Sequence, residues 1–285
     1  MKDSEGHNKH ARGQSRKGPE RSSRKASHPV ARPLFDCWPQ VVRSIHSAER
    51  LALFMDLDGT LVALRRRPSD VKPLDLPLRR VLRSLVRQKR LSLYVISGRR
   101  LAELRKLVPV RGIRLLGVHG WEGRNVPPFN EERRLLRKAR RLLDERLTST
   151  PEIRHEDKGL SLAVHYRGAS RRAVRPARAI VGEVLQAIGH QIHMVQGHKV
   201  WELLPRQISG KGAAVLALLS RLPQPTLAIF IGDDTTDESA FRALPCGLTI
   251  RVGIHPRTRA RFLLRSPDEV KRFLLKLEAA IRGNR

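Results

Sequence analysis

From Leu51 onward, short and almost wholly apolar runs alternate with longer amphipathic stretches. Leu51–Met55, Leu91–Ile96, Ile113–Val118, Leu227–Ile231 and Leu248–Val252 read as strands. Leu227–Ile231 is almost wholly apolar, as expected for a central strand of a parallel sheet that is buried on both faces. Between them lie helical patterns. In 76–86 the apolar positions Leu78, Val81, Leu82 and Leu85 fall on one face, and Leu101–Val108 and Lys211–Leu219 follow. A last helix over Asp268–Ile281 starts after Ser266-Pro267, a capping residue followed by a helix-compatible proline. Strand–helix alternation of this kind predicts an α/β fold with a Rossmann-like parallel sheet and right-handed crossovers.

The middle of the chain breaks the alternation. Glu131–Leu147 is a charged amphipathic helix, and Ala173–Ile188 is another. Ser161–Arg167 alternates, with Leu162, Val164 and Tyr166 on one face and Ala163 and His165 on the other. Ile192–Val195 and Val200–Leu204 form a hairpin pattern around Gly197. We therefore expect an inserted α+β cap over 120–205, with a core split into 34–119 and 206–285. Residues 1–33 are polar, with nine basic and three acidic residues and almost no large apolar ones. Such a segment cannot offset the entropy of ordering and is expected to be disordered. His7 and His10 have a metal-compatible helical spacing, but in a disordered tail solvation is the better reading.

Composition narrows the class. The 285 residues are 40% hydrophobic, enough for a real core. No apolar run is long enough to span a bilayer and no hydrophobic leader is seen, so no membrane partner and a cytoplasmic location are expected. Cys37 and Cys246 are the only cysteines, which excludes thiolate metal clusters and fits a reducing compartment. The chain carries 57 basic against 27 acidic residues, a net charge of +30. That excess favours polyanions at long range. Aromatic residues are only 4%, so base-stacking platforms are scarce and a nucleic-acid partner is disfavoured against a solvated Arg-rich surface.

Candidate chemistry sits at strand ends. Asp56-Leu57-Asp58-Gly59-Thr60 follows the first apolar run, and Gly232-Asp233-Asp234-Thr235-Thr236-Asp237 follows the fourth. Alone, the first could be a solvated turn, because Asp and Gly are ordinary turn residues. Likewise, Asp234 to Asp237 could merely cap a helix. If the two strands are neighbours, however, their carboxylates converge and require a cation. Oxygen-only ligands indicate a hard ion, Mg2+. Ser97-Gly98-Arg99, at a strand end before a helix, and Gly210-Lys211-Gly212, opening a helix, could each bind phosphate.

In this order the four elements resemble the motifs of the haloacid dehalogenase-like hydrolases. The resemblance implies phosphoryl transfer, with Asp56 as nucleophile, Asp58 as acid and base, and Lys211 and Ser97 on the phosphoryl group. It places Mg2+ on Asp56, the Asp58 carbonyl and Asp233, with Asp234 and Asp237 in support.

The insert narrows it further. Gly117-Val118-His119-Gly120, Glu156-Asp157-Lys158-Gly159, His165-Tyr166-Arg167, Gly197-His198-Lys199-Val200-Trp201-Glu202 and the second acidic cluster resemble the trehalose-6-phosphate phosphatases. That resemblance implies a cap closing over a sugar-phosphate substrate. Arg99, His119, Glu156, Lys158, Arg167, Lys199 (or the adjacent His198) and Glu202 become substrate contacts, while Gly98 stays with Ser97 and Lys211 on the phosphate. It also raises a trehalose-6-phosphate synthase as a partner of a monomeric enzyme. Leu204 departs from the family, which usually has a basic residue before the proline matching Pro205. Three rivals stay open: another sugar phosphate such as a glucosylglycerol or mannosyl-glycerate phosphate, a non-catalytic regulatory subunit, and a nucleic-acid role.

Overall fold

The structure is a computed structural model that describes residues 31–65, 67–123, 130–197, 199–208, 210–255 and 257–283. His7, His10, His198 and the tail up to residue 30 lie outside the described residues. The elements run β1 (Arg32–Pro33), α1 (Trp38–Ser47), β2 (Arg50–Met55), α2 (Leu76–Val86), β3 (Leu91–Ile96), α3 (Leu101–Leu107), β4 (Arg114–Leu116), α4 (Asn130–Arg146), β5 (Arg154–Asp157), β6 (Leu162–His165), α5 (Arg171–Ile188), β7 (Ile192–Gly197), β8 (Val200–Pro205), α6 (Lys211–Leu219), β9 (Thr226–Gly232), α7 (Glu238–Ala243), β10 (Leu248–Val252), β11 (Phe262–Leu264) and α8 (Pro267–Arg282). The fold is α/β with a cap.

Seven strands form one parallel sheet in the order β1-β11-β10-β9-β2-β3-β4. The expectation of a disordered tail through residue 33 needs correction at its end. Arg32 and Pro33 pair with Phe262 and Leu263 at the sheet edge, so the ordered chain has begun by Arg32.

The two central strands show why apolar runs were the right signal. Along β2, Leu51, Leu53 and Met55 pack into one core with residues of α1, α2 and α8. Ala52 and Phe54 face the opposite core, against α6 and α7. With both faces covered, no position of the strand can be polar until the chain leaves the sheet, at Asp56.

β2 and β9 are parallel neighbours, with Met55 opposite Ile231. The condition set by the two acidic clusters is therefore met.

The insert forms a second, antiparallel sheet in the order β5-β6-β8-β7. Leu162, Val164, Trp201 and Leu203 face α4 and α5 and bury a separate core. The other face carries Glu156, Ala163 and Glu202, which stand opposite one another across β5, β6 and β8. Glu156 and Glu202 of that row line the cavity between the sheets.

Phe230 tests the core. It is fully buried in β9 and packs edge-on against Phe241, with ring centroids 5.7 Å apart. Phe230→Ala is expected to cost about 3–5 kcal/mol, read as a lower urea midpoint at unchanged slope.

Candidate active site

A cavity of about 700 Å³ lies between the core sheet and the cap, lined by Asp56, Asp58, Ser97, Lys211 and Asp233 from the core side. Asp56 begins where β2 ends, its backbone N–H still donating to the Ile231 carbonyl at 2.9 Å. Lys211, the first residue of α6, is almost fully buried. Its Nζ lies 2.9 Å from Asp56 Oδ1 and 2.7 Å from Asp237 Oδ1. Asp237 is fully buried, and its other oxygen accepts from the Asp234 backbone N–H at 2.9 Å.

Asp56, Asp233 and Asp237 bring carboxylate oxygens within 4.8 Å of one another. Thr60 donates to Asp233 Oδ1 at 3.3 Å. Gly59 has φ of 80°, and a Cβ there would overlap the Asp233 carboxylate. The turn after β2 therefore requires glycine to let the two acidic loops meet.

The electrostatics fit a missing counter-cation. Burial pushes the Asp56 carboxyl up to about 7, against the pull of Lys211 and with Asp237 and Asp58 adding to the rise. Burial together with the Asp56 and Asp237 charges pushes Asp233 up to about 9. For Lys211 burial alone would lower the value, but the Asp237 and Asp56 carboxylates outweigh it and raise it. One ammonium does not balance three acids, and an oxygen-only donor set suits a hard divalent ion. Asp56 and Asp233 are placed to hold it. Both oxygens of Asp237 are already engaged, by Lys211 and the Asp234 N–H, so Asp237 serves as a support. The capping reading also holds for its own residues: Asp234 and Asp237 form a reciprocal capping box on the turn after β9.

Asp58 does not join that cluster. Its carboxylate is gripped by Arg99, with Nε–Oδ2 at 2.6 Å and Nη2–Oδ1 at 2.8 Å. Arg99 also bonds Glu103 and the Pro68 carbonyl at 3.0 Å. It lines the cavity, but its guanidinium is committed to Asp58, so it acts here by holding that residue. Ser97 is buried and accepts from the Arg99 N–H at 3.2 Å. Gly98 lets the His119 ring approach, since a Cβ there would lie 3.1 Å from it.

On the cap side, Glu202 is buried and tied to three partners: His119 at 2.5 Å, Lys158 at 3.1 Å and Ser161 at 2.9 Å. His119 belongs to the core, so this contact bridges core and cap. The Lys158 and His119 charges outweigh burial and hold Glu202 well below the usual carboxylate range. Glu156 is also lowered, by its hydrogen bond with His165. Arg167 lines the cavity and donates to the Arg65 carbonyl of the core.

Two assignments change. Lys199 does not line this cavity; it lines a second groove on the cap, which meets the cavity at Gly168. Its backbone lies in the left-handed region, at φ 61°. Leu204, the departure from the family pattern, packs with Val118, Leu160 and Ile208 at the core–cap junction, where a basic side chain would be buried unpaired.

Sequence reasoning missed Arg251. From β10 it holds the Asp233 carbonyl at 2.5 Å, the Asp234 carbonyl at 3.3 Å and the Glu238 carboxylate at 3.0 Å. A lone arginine in an otherwise buried strand was the available signal.

The trehalose-phosphatase family model matches residues 54–260, most of the chain. The chain belongs to the trehalose-phosphatase family. It is 32% identical over 248 residues to the trehalose-phosphate phosphatase of Mycobacterium ulcerans, covering 81% of this chain and 62% of that protein. A probable trehalose-phosphate phosphatase of Oryza sativa is 30% identical, with 91% of this chain and 76% of the relative covered. This chain thus spans less than two thirds of the mycobacterial relative's length. The C-terminal domain of the C. albicans trehalose-6-phosphate phosphatase superposes with a TM-score of 0.73 at 22% identity, over 85% of this chain and 96% of that one, which shows the shared fold. Membership in the trehalose-phosphatase family implies a divalent cation, in accord with the carboxylate cluster.

The raised acids predict a pH-dependent metal response. A carboxyl with a raised folded pKa keeps a proton that the unfolded chain has released, so stability falls as pH rises from the ordinary Asp value through about 7 and about 9. A cation that replaces those protons stabilises more at high pH. Millimolar Mg2+ is expected to raise Tm more at about pH 8.5 than at about pH 5.5, checked by differential scanning fluorimetry. An equal shift at both values would remove Asp56 and Asp233 as ligands.

Proposed function

We propose that this protein is a Mg2+-dependent phosphatase that hydrolyses trehalose 6-phosphate to trehalose and inorganic phosphate. The observation that supports it best is the meeting of Asp56, Lys211, Asp233 and Asp237 at the ends of two adjacent parallel strands, beneath a cap face carrying Glu156, Lys158 and Glu202. Residues 34–119 and 206–285 would do the chemistry, and 120–205 would recognise the sugar.

In the first step the free carboxylate oxygen of Asp56 attacks phosphorus. The bond from phosphorus to the sugar oxygen breaks, and Asp58 gives that oxygen its proton. Asp56 then carries the phosphoryl group as a mixed anhydride. In the second step Asp58 takes a proton from water as the water oxygen attacks phosphorus, and the bond to Asp56 breaks to release phosphate. Lys211 is held beside Asp56 by Asp237, which aims its charge at the transferring group. Ser97 and the backbone around Gly98 present polar groups on the other side. Mg2+ on Asp56 and Asp233, with the Asp58 carbonyl, would neutralise charge on the phosphoryl oxygens. Arg99 engages both oxygens of Asp58 at the cavity wall, so the two proton transfers would require Asp58 to turn from Arg99 towards the phosphoryl group.

Sugar hydroxyls need acceptors, and Glu156 and Glu202 supply them from the cap, with Lys158 and Arg167 as donors. The reading of a non-catalytic regulatory subunit predicts loss of an acting residue, yet Asp56, Asp58, Lys211 and Asp233 are all present. Other sugar phosphates share the core chemistry, so only the cap contacts separate them. A trehalose-6-phosphate synthase remains the proposed partner, and a cytoplasmic monomer the proposed state.

A phosphate-release screen over sugar phosphates with Mg2+ tests the reading. Trehalose 6-phosphate should be the best substrate, and Asp56→Asn should abolish turnover. Asp58→Asn should lose about 10²–10⁴-fold on the sugar substrate. On p-nitrophenyl phosphate, whose leaving group needs no proton, the first step should be far less affected. Inactivity of the intact chain on trehalose 6-phosphate would sink the reading.

A further inference from the structure

We propose that the cap holds a second anion site, specific for a small multivalent phosphate anion. A groove of about 590 Å³ runs along the N-terminal half of α5, lined by Arg171, Arg175, Arg178 and Lys199 over a floor that includes Tyr166 and Val174. Its volume falls in the range of ordinary ligand pockets.

The charge balance of this groove differs from that of the catalytic cavity. Among the described residues, the catalytic cavity is lined by seven basic and eight acidic side chains. The groove has four cations and no acid. No ion pair or hydrogen bond joins the side chains of Arg171, Arg175, Arg178 or Lys199 to a described residue, although the Arg-rich α4 beside them finds acids for Arg140 and Arg146.

That arrangement costs stability when empty. Arg171, Arg175 and Arg178 share one helix face at separations of four and three residues, where like charges repel. Arg171 also stands at the positive end of α5, whose first turn has no acidic residue and where Glu152 is engaged by the Ser170 N-cap. A multivalent anion removes both penalties together. The apolar floor keeps water from screening the attraction along one side. Arginine forks match phosphate oxygens in pairs, which favours phosphate over a single carboxylate. Lys199 approaches from the β7–β8 turn, opposite the helix, so the cations converge from two elements.

The site is separate from the carboxylate cluster, and its test needs no turnover. Tripolyphosphate is titrated calorimetrically into the full chain in metal-free buffer at physiological salt, where the acids of the catalytic cavity lack a counter-cation and disfavour a polyanion. Two double variants carry the same change of charge. Arg175→Gln/Arg178→Gln alters the groove, and Arg134→Gln/Arg137→Gln alters exposed residues of α4 at the same spacing. All four are exposed, and circular dichroism and Tm confirm folding of both variants. We expect saturation at one tripolyphosphate per chain, at least tenfold weaker binding in the groove variant, and unchanged binding in the α4 variant. Absence of saturation, equal weakening in both, or no weakening in the groove variant would overturn the site and leave only the diffuse field of a basic protein.

Discussion

The arrangement depends on one buried ammonium. Lys211 sits almost fully out of water between Asp56 and Asp237, at 2.9 and 2.7 Å. Taking such charges out of solvent costs several kcal/mol per ion, recovered only when the geometry is good and the remaining lone pairs are bonded. Here the recovery joins distant parts of the chain. Asp56 comes from the end of β2, Lys211 from the first turn of α6, and Asp237 from the turn after β9. Asp237 spends its second oxygen on the Asp234 N–H, which fixes the acidic loop against the lysine. Removing the ammonium would leave two buried carboxylates facing each other, a loss of about 3–5 kcal/mol for such a broken pair. The same contact aims a cation at the nucleophile, so stability and chemistry pull in one direction.

A second buried charge group ties the cap to the core. Glu202 collects His119, Lys158 and Ser161 on one carboxylate. His119 is the only one of these from the core, and its backbone at φ 56° is an uncommon one for a residue with a side chain. The neighbouring apolar contact of Leu204 with Val118 and Ile208 closes the junction on the dry side. Glu202 and Glu156, the acceptors proposed for sugar hydroxyls, are each bonded to protein side chains, Glu156 to His165 and Glu202 to His119, Lys158 and Ser161. On the proposed function, a sugar at Glu202 would exchange internal hydrogen bonds for external ones. Selectivity for a hydroxyl pattern would follow from that exchange, because a substrate that fails to replace a bond leaves a buried charge unsatisfied.

Most of the core was legible in the sequence, for a local reason. Parallel strands covered on both faces are mostly apolar, so Leu51–Met55 and Leu227–Ile231 announced themselves, and the acids that follow each run stood out at the strand ends. Elements with little burial stayed silent. β5 consists of Arg154, His155, Glu156 and Asp157, none of them apolar, and it forms only because β6 offers it an edge. α1 buries just Val41 and Ile45 of its ten residues. Within the site, the identity of the acids and of Lys211 could be read, but their partners could not. Arg99 meets Asp58 across 41 positions of sequence, and no local pattern encodes that pairing. Lys199 shows the converse: its neighbours in the motif line the cavity, while it lines the second groove.

The charge of the chain takes on a different meaning once it is placed on the fold. A net +30 spread over a surface suggests general attraction to polyanions. Inside the catalytic cavity that excess disappears, because the lining carries as many acids as bases and the deepest bases are paired: Arg99 with Asp58, Lys158 with Glu202, Lys211 with Asp56 and Asp237. Paired cations release part of their charge only to a ligand that displaces or shares the partner. The excess that the cavity cannot accept is pushed to the outside of the molecule, and along the N-terminal half of α5 it gathers in a groove that no acid lines.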